Sequence, residues 1–427
     1  MSAGYPFRWR AWIAALVLAV GAVATAAPAP VRPAAATAEG NAVTDWNEIA
    51  ANASVVGRPV GSALVLEGIV QAAIYDATVA IEGGYEPFVA APTVVRPAST
   101  SAAVAAAARG VLVVRVPGQA DSVDAEYAAY LAGIPDGPAK TNGIAVGEQV
   151  ATAILAWRTG DGFDNTVDWV QPPPGPGVFE PVFPPAPVDE KLKQVRPLTL
   201  TSNSQFRPDG PNPLTSPEYA ADFNELKAYG GAVSARTPAQ TEIARFWADN
   251  TALQWPRAQR RLALEHKLGL ADTARMLALT QVATADAILA CFDAKYHYLF
   301  WRPIHAIPRA DTDGNPATEA DPTWTPLLYP NLHPNHPEYP GAHGCVTKAV
   351  TETLAAFFGT DKVAFSVDSN VTNTTHYYTR FSDAAKEVYD ARTWGGLHFR
   401  NSTMEGAWIG RNVARYILTN FFGPTQP

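Results

Sequence analysis

Three short segments carry side chains of the kind that hold an oxyanion. The first is Lys295-Tyr-His-Tyr-Leu-Phe-Trp-Arg302-Pro303. Seven residues on a helix amount to about two turns and ~10.5 Å, so both cations return to nearly one face, and Pro303 is expected to end that helix. The second, Tyr339-Pro340-Gly341-Ala342-His343-Gly344, opens a predicted helix. The backbone N–H groups of Gly341 and Ala342 can donate to an anion there, the helix dipole adds to them, and His343 stands beside it. The third is Arg392-Thr-Trp-Gly395-Gly396-Leu-His398. A regular helix would put Arg392 and His398 on different faces, and the glycine pair lets the chain bend so that they converge. Each segment alone has an ordinary account: a snorkelling lysine with a surface arginine, a Pro-Gly turn with a capping histidine, a loop with a satisfied imidazole. Together they supply three cations, a helix N-terminus and two imidazoles, which is what a bound tetrahedral or trigonal-bipyramidal oxyanion requires.

Other chemistries find less support. All eight histidines follow residue 265, and His297, His305, His333, His336, His343, His376 and His398 crowd the C-terminal third. A zinc hydrolase wants an H-E-x-x-H helix or closely spaced ligands with a third nearby, and only His333-Pro-Asn-His336 is tight enough. No G-x-S-x-G elbow and no P-loop occurs. Asp311-Thr-Asp313-Gly-Asn315 resembles the start of a calcium loop, but glycine stands at its fourth place and Pro316 at its sixth, so an exposed turn is expected.

The elements that must position these groups read as helices. Trp46 to Ala53 and Ser62 to Ile81 have helical periodicity, with Pro59 between them and Gly83-Gly84 as a stop. Ser99 to Val116, Ala120 to Ala132 and Ala139 to Trp157 are Ala-rich, so residues 27–159 read as an N-terminal helical region of packing rather than chemistry. Residues 160–216 carry Pro172-Pro173-Pro174, Pro176, Pro181, Pro184-Pro185 and Pro187, and read as a Pro-rich ordered loop. Residues 217–427 are the expected C-terminal helical catalytic domain. Its helices run roughly Glu218 to Tyr229, Pro238 to Ala248, Arg257 to His266, Ala271 toward Trp301, Ala342 to Phe358, Asp383 to Tyr389, and from Gly396 to about Leu418. Strand signals are scarce, and the expected class is all-α, two helical bundles with the oxyanion site in the second.

Composition bounds the rest. With 427 residues, 47% hydrophobic and 17% charged, the chain can bury a large core. A net charge of −8 argues against a nucleic-acid partner. Arg8 and Arg10 precede the apolar run Ala11 to Ala24, and Ala24-Thr25-Ala26 suits signal peptidase, so residues 1–26 read as a signal peptide and the protein as secreted. That run falls short of the ~20 apolar residues a span needs, and no later stretch of 18 residues lacks a charge, so no membrane span is expected. Cys291 and Cys345 allow at most one disulfide, and a bridge or two free buried thiols are equally compatible with the sequence.

The three segments resemble a known signature, K-x6-R-P, P-S-G-H and S-R-x3-G-x-H-x3-D, shared by the type 2 phosphatidic acid phosphatases and the vanadium-dependent haloperoxidases. Lys295, Arg302, Pro303, Pro340, His343, Arg392, Gly396 and His398 match it in order and spacing. Gly341 replaces its first serine, Ala342 its first glycine, Ala391 the serine before the arginine, and Ser402 the final aspartate. The resemblance implies an all-α fold in which Lys295, Arg302 and Arg392 neutralise the oxyanion, Gly341 and Ala342 offer backbone donors, and His343 is the acid/base. His398 would bind vanadium axially in a peroxidase or attack phosphorus in a phosphatase. Asp249, in Phe246-Trp-Ala-Asp249-Asn, resembles a haloperoxidase segment whose aspartate pairs with the second arginine.

The same anion hole serves vanadate and a phosphoryl transition state, so the surroundings must choose. The aromatic run Phe292 to Trp301, the expected secretion and the added N-terminal helices are similar to the haloperoxidases. His336, seven residues before His343, stands where the resemblance associates phenylalanine with chloride and histidine with bromide. The expectation is a vanadate-containing haloperoxidase acting on hydrogen peroxide and halide, bromide favoured. The alternatives are a metal-free secreted phosphatase for phosphate monoesters working through a phosphohistidine, and a binding protein that keeps the hole without turnover. The oligomeric state is open.

Overall fold

Two long apolar helices run side by side through the centre of the molecule, and the rest is built around them. The computed structural model describes residues 41–425. The expected signal peptide, residues 1–26, lies outside the described residues. The helices are α1 (Ala42–Gly57), α2 (Val60–Glu82), α3 (Thr100–Arg115), α4 (Ala120–Ala132), α5 (Pro138–Trp157), α6 (Pro217–Gly230), α7 (Pro238–Phe246), α8 (Thr251–Glu265), α9 (Leu270–Tyr298), α10 (Pro303–Ala306), α11 (Ala342–Phe357), α12 (Phe381–Trp394) and α13 (Arg400–Asn420). The fold is mostly helical, as the sequence led one to expect.

Helices α2 and α9 are the central pair. Both are long and apolar enough to cross a membrane, but here they are buried nearly throughout by other helices. They approach closely because Gly68 faces Ala285, where an added Cβ would lie 2.7 Å from the alanine methyl. One hydrophobic core runs from Val43 and Trp46 through Leu66, Ile69, Leu277 and Ile288 to Val350 and Ile409, so the two helical halves share an interior. The loop between them is fixed by buried carboxylates. Asp286 of α9 accepts from the N–H groups of Leu198, Thr199 and Leu200, and Asp189 accepts from the Gly61 N–H at 3.0 Å and the Ser62 hydroxyl at 2.5 Å.

Local signals set most helix starts. Ser216 caps α6 with Pro217 at its first position, and Thr237 and Gln240 form a reciprocal capping box on α7. Helix α8 starts six residues before the expected Arg257, capped by Asn250, and carries Pro256 in its interior. A proline past the first turn normally argues against a helix, and here burial of Trp255 and Ala258 on either side outweighs the lost backbone bond.

Two findings depart from the sequence reading. The polar stretch after α11 contains an antiparallel hairpin, β1 (Phe365–Ser369) and β2 (Thr374–Tyr378), in the register Phe365 with Tyr378 and Val367 with His376. Its strands are five residues each, too short for alternation to stand out. Helix α9 also does not reach Arg302. It ends at Tyr298, where Leu299 turns left-handed at φ 50°, and the chain then runs extended, with the Trp301 N–H on the Gly177 carbonyl. Pro303 starts α10 rather than ending α9. The cysteines are two free buried thiols.

Candidate active site

The site is a cavity of about 510 Å³ between the N-termini of α2, α8 and α11 and the turn after α12. Leu64, Ile288, Phe292, Leu332, Val346 and Val371 contribute apolar wall, and Arg392, His343, His398 and His336 contribute polar surface. Such a lining keeps bulk water scarce around charged groups and strengthens their interactions.

The bend expected at the glycine pair is present. Helix α12 ends at Trp394, Gly396 adopts φ 76°, and the Leu397 N–H returns to the Arg392 carbonyl at 3.1 Å. A Cβ on Gly396 would lie 2.4 Å from the Gly230 carbonyl oxygen, so space as well as backbone requires glycine. Arg392 and His398 thereby reach the same cavity.

Of the other expected residues, Ala342, His343, His336, Phe292 and Asp249 also line it, whereas Lys295, Arg302 and Gly341 lie behind its surface. Lys295 and Arg302 come together by a route other than the helical face proposed from their spacing. Lys295, on the last turn of α9, donates through Nζ to the carbonyls of Pro337 at 2.8 Å and Glu338 at 3.0 Å. Arg302, on the extended segment, donates from Nε to the His336 carbonyl, from Nη1 to the Leu397 carbonyl and from Nη2 to His336 Nδ1 at 3.0 Å. A guanidinium only donates, so the shorter contact makes His336 Nδ1 an acceptor from Arg302 rather than a donor to the Pro337 carbonyl 3.2 Å away, and Nε2 carries the ring proton. The loop before α11 is thus the common acceptor that draws both cations in.

Gly341 does not offer its N–H to an anion. That group donates to the Ser402 carbonyl at 2.7 Å, because α11 and α13 pack backbone to backbone. Cβ atoms on Gly344, Gly406 and Gly410 would each lie 2.2 Å from a carbonyl oxygen of the facing helix. The same approach explains glycine at 341: Thr403 Cα would sit 3.0 Å from a Cβ there. Asp249 does not pair with Arg392 either. It accepts from Arg257 Nη2 at 2.7 Å and the Asn370 N–H at 2.9 Å, since Arg257, two turns into α8, reaches back to it. Arg392 donates instead through Nη1 to the Trp247 carbonyl at 3.0 Å, and its buried Nε has no partner among the described residues.

The sequence reading missed Glu338 and Thr251. Glu338 is fully buried; its Oε1 accepts from His398 Nδ1 at 3.0 Å and the Phe399 N–H at 2.9 Å, and its Oε2 from the Ser402 hydroxyl at 2.5 Å. Thr251 Oγ1 lies 3.1 Å from His343 Nε2. The absence of the signature aspartate at Ser402 was the one available hint that a carboxylate had to come from elsewhere.

Burial dominates the electrostatics. It pulls Lys295 down to about 8, Arg302 to about 10 and Arg392 to about 9; repulsion from Arg302 adds to it at Lys295 and Arg392, whereas Glu338 and Tyr296 oppose it at Arg302. His343 and His398 are held well below the usual imidazole range by burial and then by these same cations, so both rings are neutral. Burial pushes Glu338 up to about 7, against the opposing pull of Ser402, Lys295 and Arg302. Two other buried carboxylates line the cavity, but Asp249 is paired with Arg257 and Asp189 is held by the Gly61 N–H and the Ser62 hydroxyl; around His398 itself, among the described residues, Lys295, Arg302 and Arg392 face the single carboxylate of Glu338, an imbalance that favours a multiply charged anion.

The remaining histidines stand apart or serve packing. His376 stacks on Phe246 with centroids 3.7 Å apart and bonds Glu387 and Glu242, and His333 lines the cavity with Nδ1 on the Pro334 carbonyl. Among the described residues no group of three or more His, Cys, Asp or Glu side chains is arranged to hold a metal ion.

Comparison with known proteins agrees with this geometry. Residues 275–423, which hold all three segments, match the family described as VCPO second helical-bundle domain. Over that part of its length the chain is similar to the vanadium haloperoxidases. Vanadium chloroperoxidase of Curvularia inaequalis is 28% identical over 189 residues, 37% of this chain and 30% of that relative's own length. The crystal structure of a bacterial vanadium-dependent iodoperoxidase superposes with a TM-score of 0.73 at 22% identity, covering 90% of this chain and 97% of that one. A bacterial vanadium-dependent chloroperoxidase in its apo form superposes with a TM-score of 0.67 at 14% identity, covering 84% and 93%. The fold of these two structures therefore extends over both helical halves of this chain.

Proposed function

We propose that this protein is a vanadate-dependent haloperoxidase that oxidises halide, bromide favoured, with hydrogen peroxide to hypohalous acid, and that it acts outside the cell after removal of residues 1–26. The observation that carries this reading is the surplus of buried positive charge around His398, whose Nδ1 is engaged by Glu338 so that Nε2 keeps a free lone pair. An oxyanion that is both multiply charged and able to accept a nitrogen ligand fits this donor set, and the orphaned Arg392 Nε is a ready donor for one of its oxygens.

His398 would hold vanadate through its free Nε2, with Lys295, Arg302 and Arg392 balancing its charge. Bound there, vanadate would supply the Lewis acidity that activates peroxide for two-electron oxidation of halide. The protein's own share is proton handling and exclusion of water. His343, neutral in its buried setting, accepts the proton of incoming hydrogen peroxide at Nε2. The Thr251 hydroxyl beside that atom can donate to the neutral ring and accept from the protonated one, so one contact serves both states. The apolar walls keep the hole dry. His336, with its proton on Nε2, presents a donor suited to a large soft halide.

The test is the protein from Ala27 onward, reconstituted with orthovanadate and assayed for bromide- and peroxide-dependent bromination, beside aryl phosphate hydrolysis without vanadate. Bromination that disappears in His398→Ala is the expected result. Vanadate-inhibited hydrolysis with no bromination would replace this reading with the phosphatase. Anion binding with neither activity would leave a binding protein. The N-terminal residue of the exported protein checks cleavage after Ala26.

A further inference from the structure

We propose that Glu338 is a positioning residue for His398, supplying from a different stretch of chain a carboxylate beside the imidazole where the signature aspartate is replaced by Ser402.

Three hydrogen bonds converge on this one carboxylate, and all three donors belong to residues 398–402. Glu338 is 0% exposed, so water does not compete for its oxygens. Because Oε1 already takes the Phe399 N–H, it meets His398 Nδ1 as an acceptor; the ring proton is fixed on Nδ1 and the lone pair on Nε2 is free.

The departure at Ser402 makes sense only with Glu338 present. The Ser402 hydroxyl donates to Oε2 at 2.5 Å, so an aspartate at 402 would set a second carboxylate against the first in a buried site. The two positions therefore form a pair: carboxylate at 338 with hydroxyl at 402, or carboxylate at 402 with something uncharged at 338. Glu338 also links the imidazole to the cations, since its own backbone carbonyl accepts from Lys295 Nζ at 3.0 Å. One turn of chain thus sets both the ligand histidine and the buried lysine.

The competing account is that Glu338 merely caps the start of α13 through Phe399 and Ser402. The experiment separates the two. In wild type, Glu338→Ala and the double variant Glu338→Ala/Ser402→Asp, the His398 tautomer is read from ¹⁵N shifts of histidine-labelled protein, assigned by difference from His398→Gln. Orthovanadate affinity is read by equilibrium dialysis, and folding by the melting temperature. Wild type is expected to hold the proton on Nδ1. Glu338→Ala is expected to lose that single tautomer and to bind orthovanadate roughly 10–100-fold more weakly. The double variant is expected to regain the Nδ1–H tautomer and most of the affinity. A Glu338→Ala protein with unchanged tautomer and affinity would overturn the proposal. So would a double variant that regains the wild-type melting temperature but neither the tautomer nor the affinity. The orthovanadate arm rests on His398 being the vanadate ligand, and the tautomer arm does not. A wild type that ignores orthovanadate would therefore count against the haloperoxidase reading while the ¹⁵N shifts still decide Glu338.

Discussion

Arg392 donates to the backbone carbonyl of Trp247 at 3.0 Å, and among the described residues it forms no ion pair with a carboxylate. A buried guanidinium balanced only by a carbonyl is costly to the empty protein, and the cost is recovered when an anion binds. Arg392→Met is therefore expected to raise the melting temperature of the anion-free protein by a few degrees while weakening orthovanadate binding by two orders of magnitude or more, on the order of 3 kcal/mol. Conversely, orthovanadate at about 100 times its dissociation constant should stabilise the wild type by ~2.7 kcal/mol and leave Arg392→Met unmoved. Thermal unfolding with and without the anion measures both; a variant less stable than the anion-free wild type would show that the Trp247 contact outweighs the unpaired charge.

Asp249 gives the opposite pattern. Its carboxylate ties Arg257 of α8 to the N–H of Asn370 in the hairpin turn and does not touch Arg392. Asp249→Asn should cost stability, about 1–3 kcal/mol for the broken charge-assisted bonds, while changing anion affinity less than about threefold. Denaturant unfolding and equilibrium dialysis on the same preparation test this. A large loss of affinity with little loss of stability would restore the pairing that the resemblance implied.

These two residues also mark how far the sequence could be read. Arg392 and His398 were legible because a glycine pair between them has a local consequence, a bend, that needs no knowledge of the rest of the chain. Lys295 and Arg302 were legible as a pair but for a different reason than their spacing suggested. The helix stops at Tyr298 because Leu299 turns left-handed, and the loop at 336–338 gathers both cations through its carbonyls. Glu338 and the loss of the Gly341 N–H were not legible, because both follow from the backbone-to-backbone approach of α11 and α13, a contact between residues about 60 positions apart. The helical class survived errors of several residues at individual boundaries because apolar periodicity is summed over whole helices, whereas the hairpin's five-residue strands gave too short a run for alternation to register.

His336 tests the halide preference. Its Nδ1 accepts from Arg302 and its Nε2 carries the proton. Replacing it with phenylalanine removes that donor and leaves Arg302 Nη2 one acceptor short. The expected outcome in the vanadate-reconstituted protein is a fall in bromide kcat/KM of about tenfold, with orthovanadate affinity changed much less, since Arg302 keeps the His336 and Leu397 carbonyls. Steady-state bromination against bromide, iodide and chloride checks the order. A variant that keeps the wild-type halide ratio would remove His336 from the specificity argument.

Lys295 sets a pH dependence whose two signs differ. Burial lowers it from 10.5 to about 8, with repulsion from Arg302 opposed by Cys291 and Glu338. Its folded-state value lies below the unfolded one, so the folded protein releases the proton first. As pH rises from about 8 toward 10.5, the penalty for burying the charged amine fades and this residue's contribution to stability improves. Anion affinity moves the other way, because the neutral amine no longer balances the oxyanion. Phosphate is the better probe for the affinity arm, since its charge is constant at −2 over about pH 8 to 10.5. Its dissociation constant should rise across that range in the wild type and stay flat in Lys295→Met, which should bind it more weakly throughout. If the two proteins lose affinity in parallel, the pH dependence belongs to another group, and Lys295 keeps its charge in the fold.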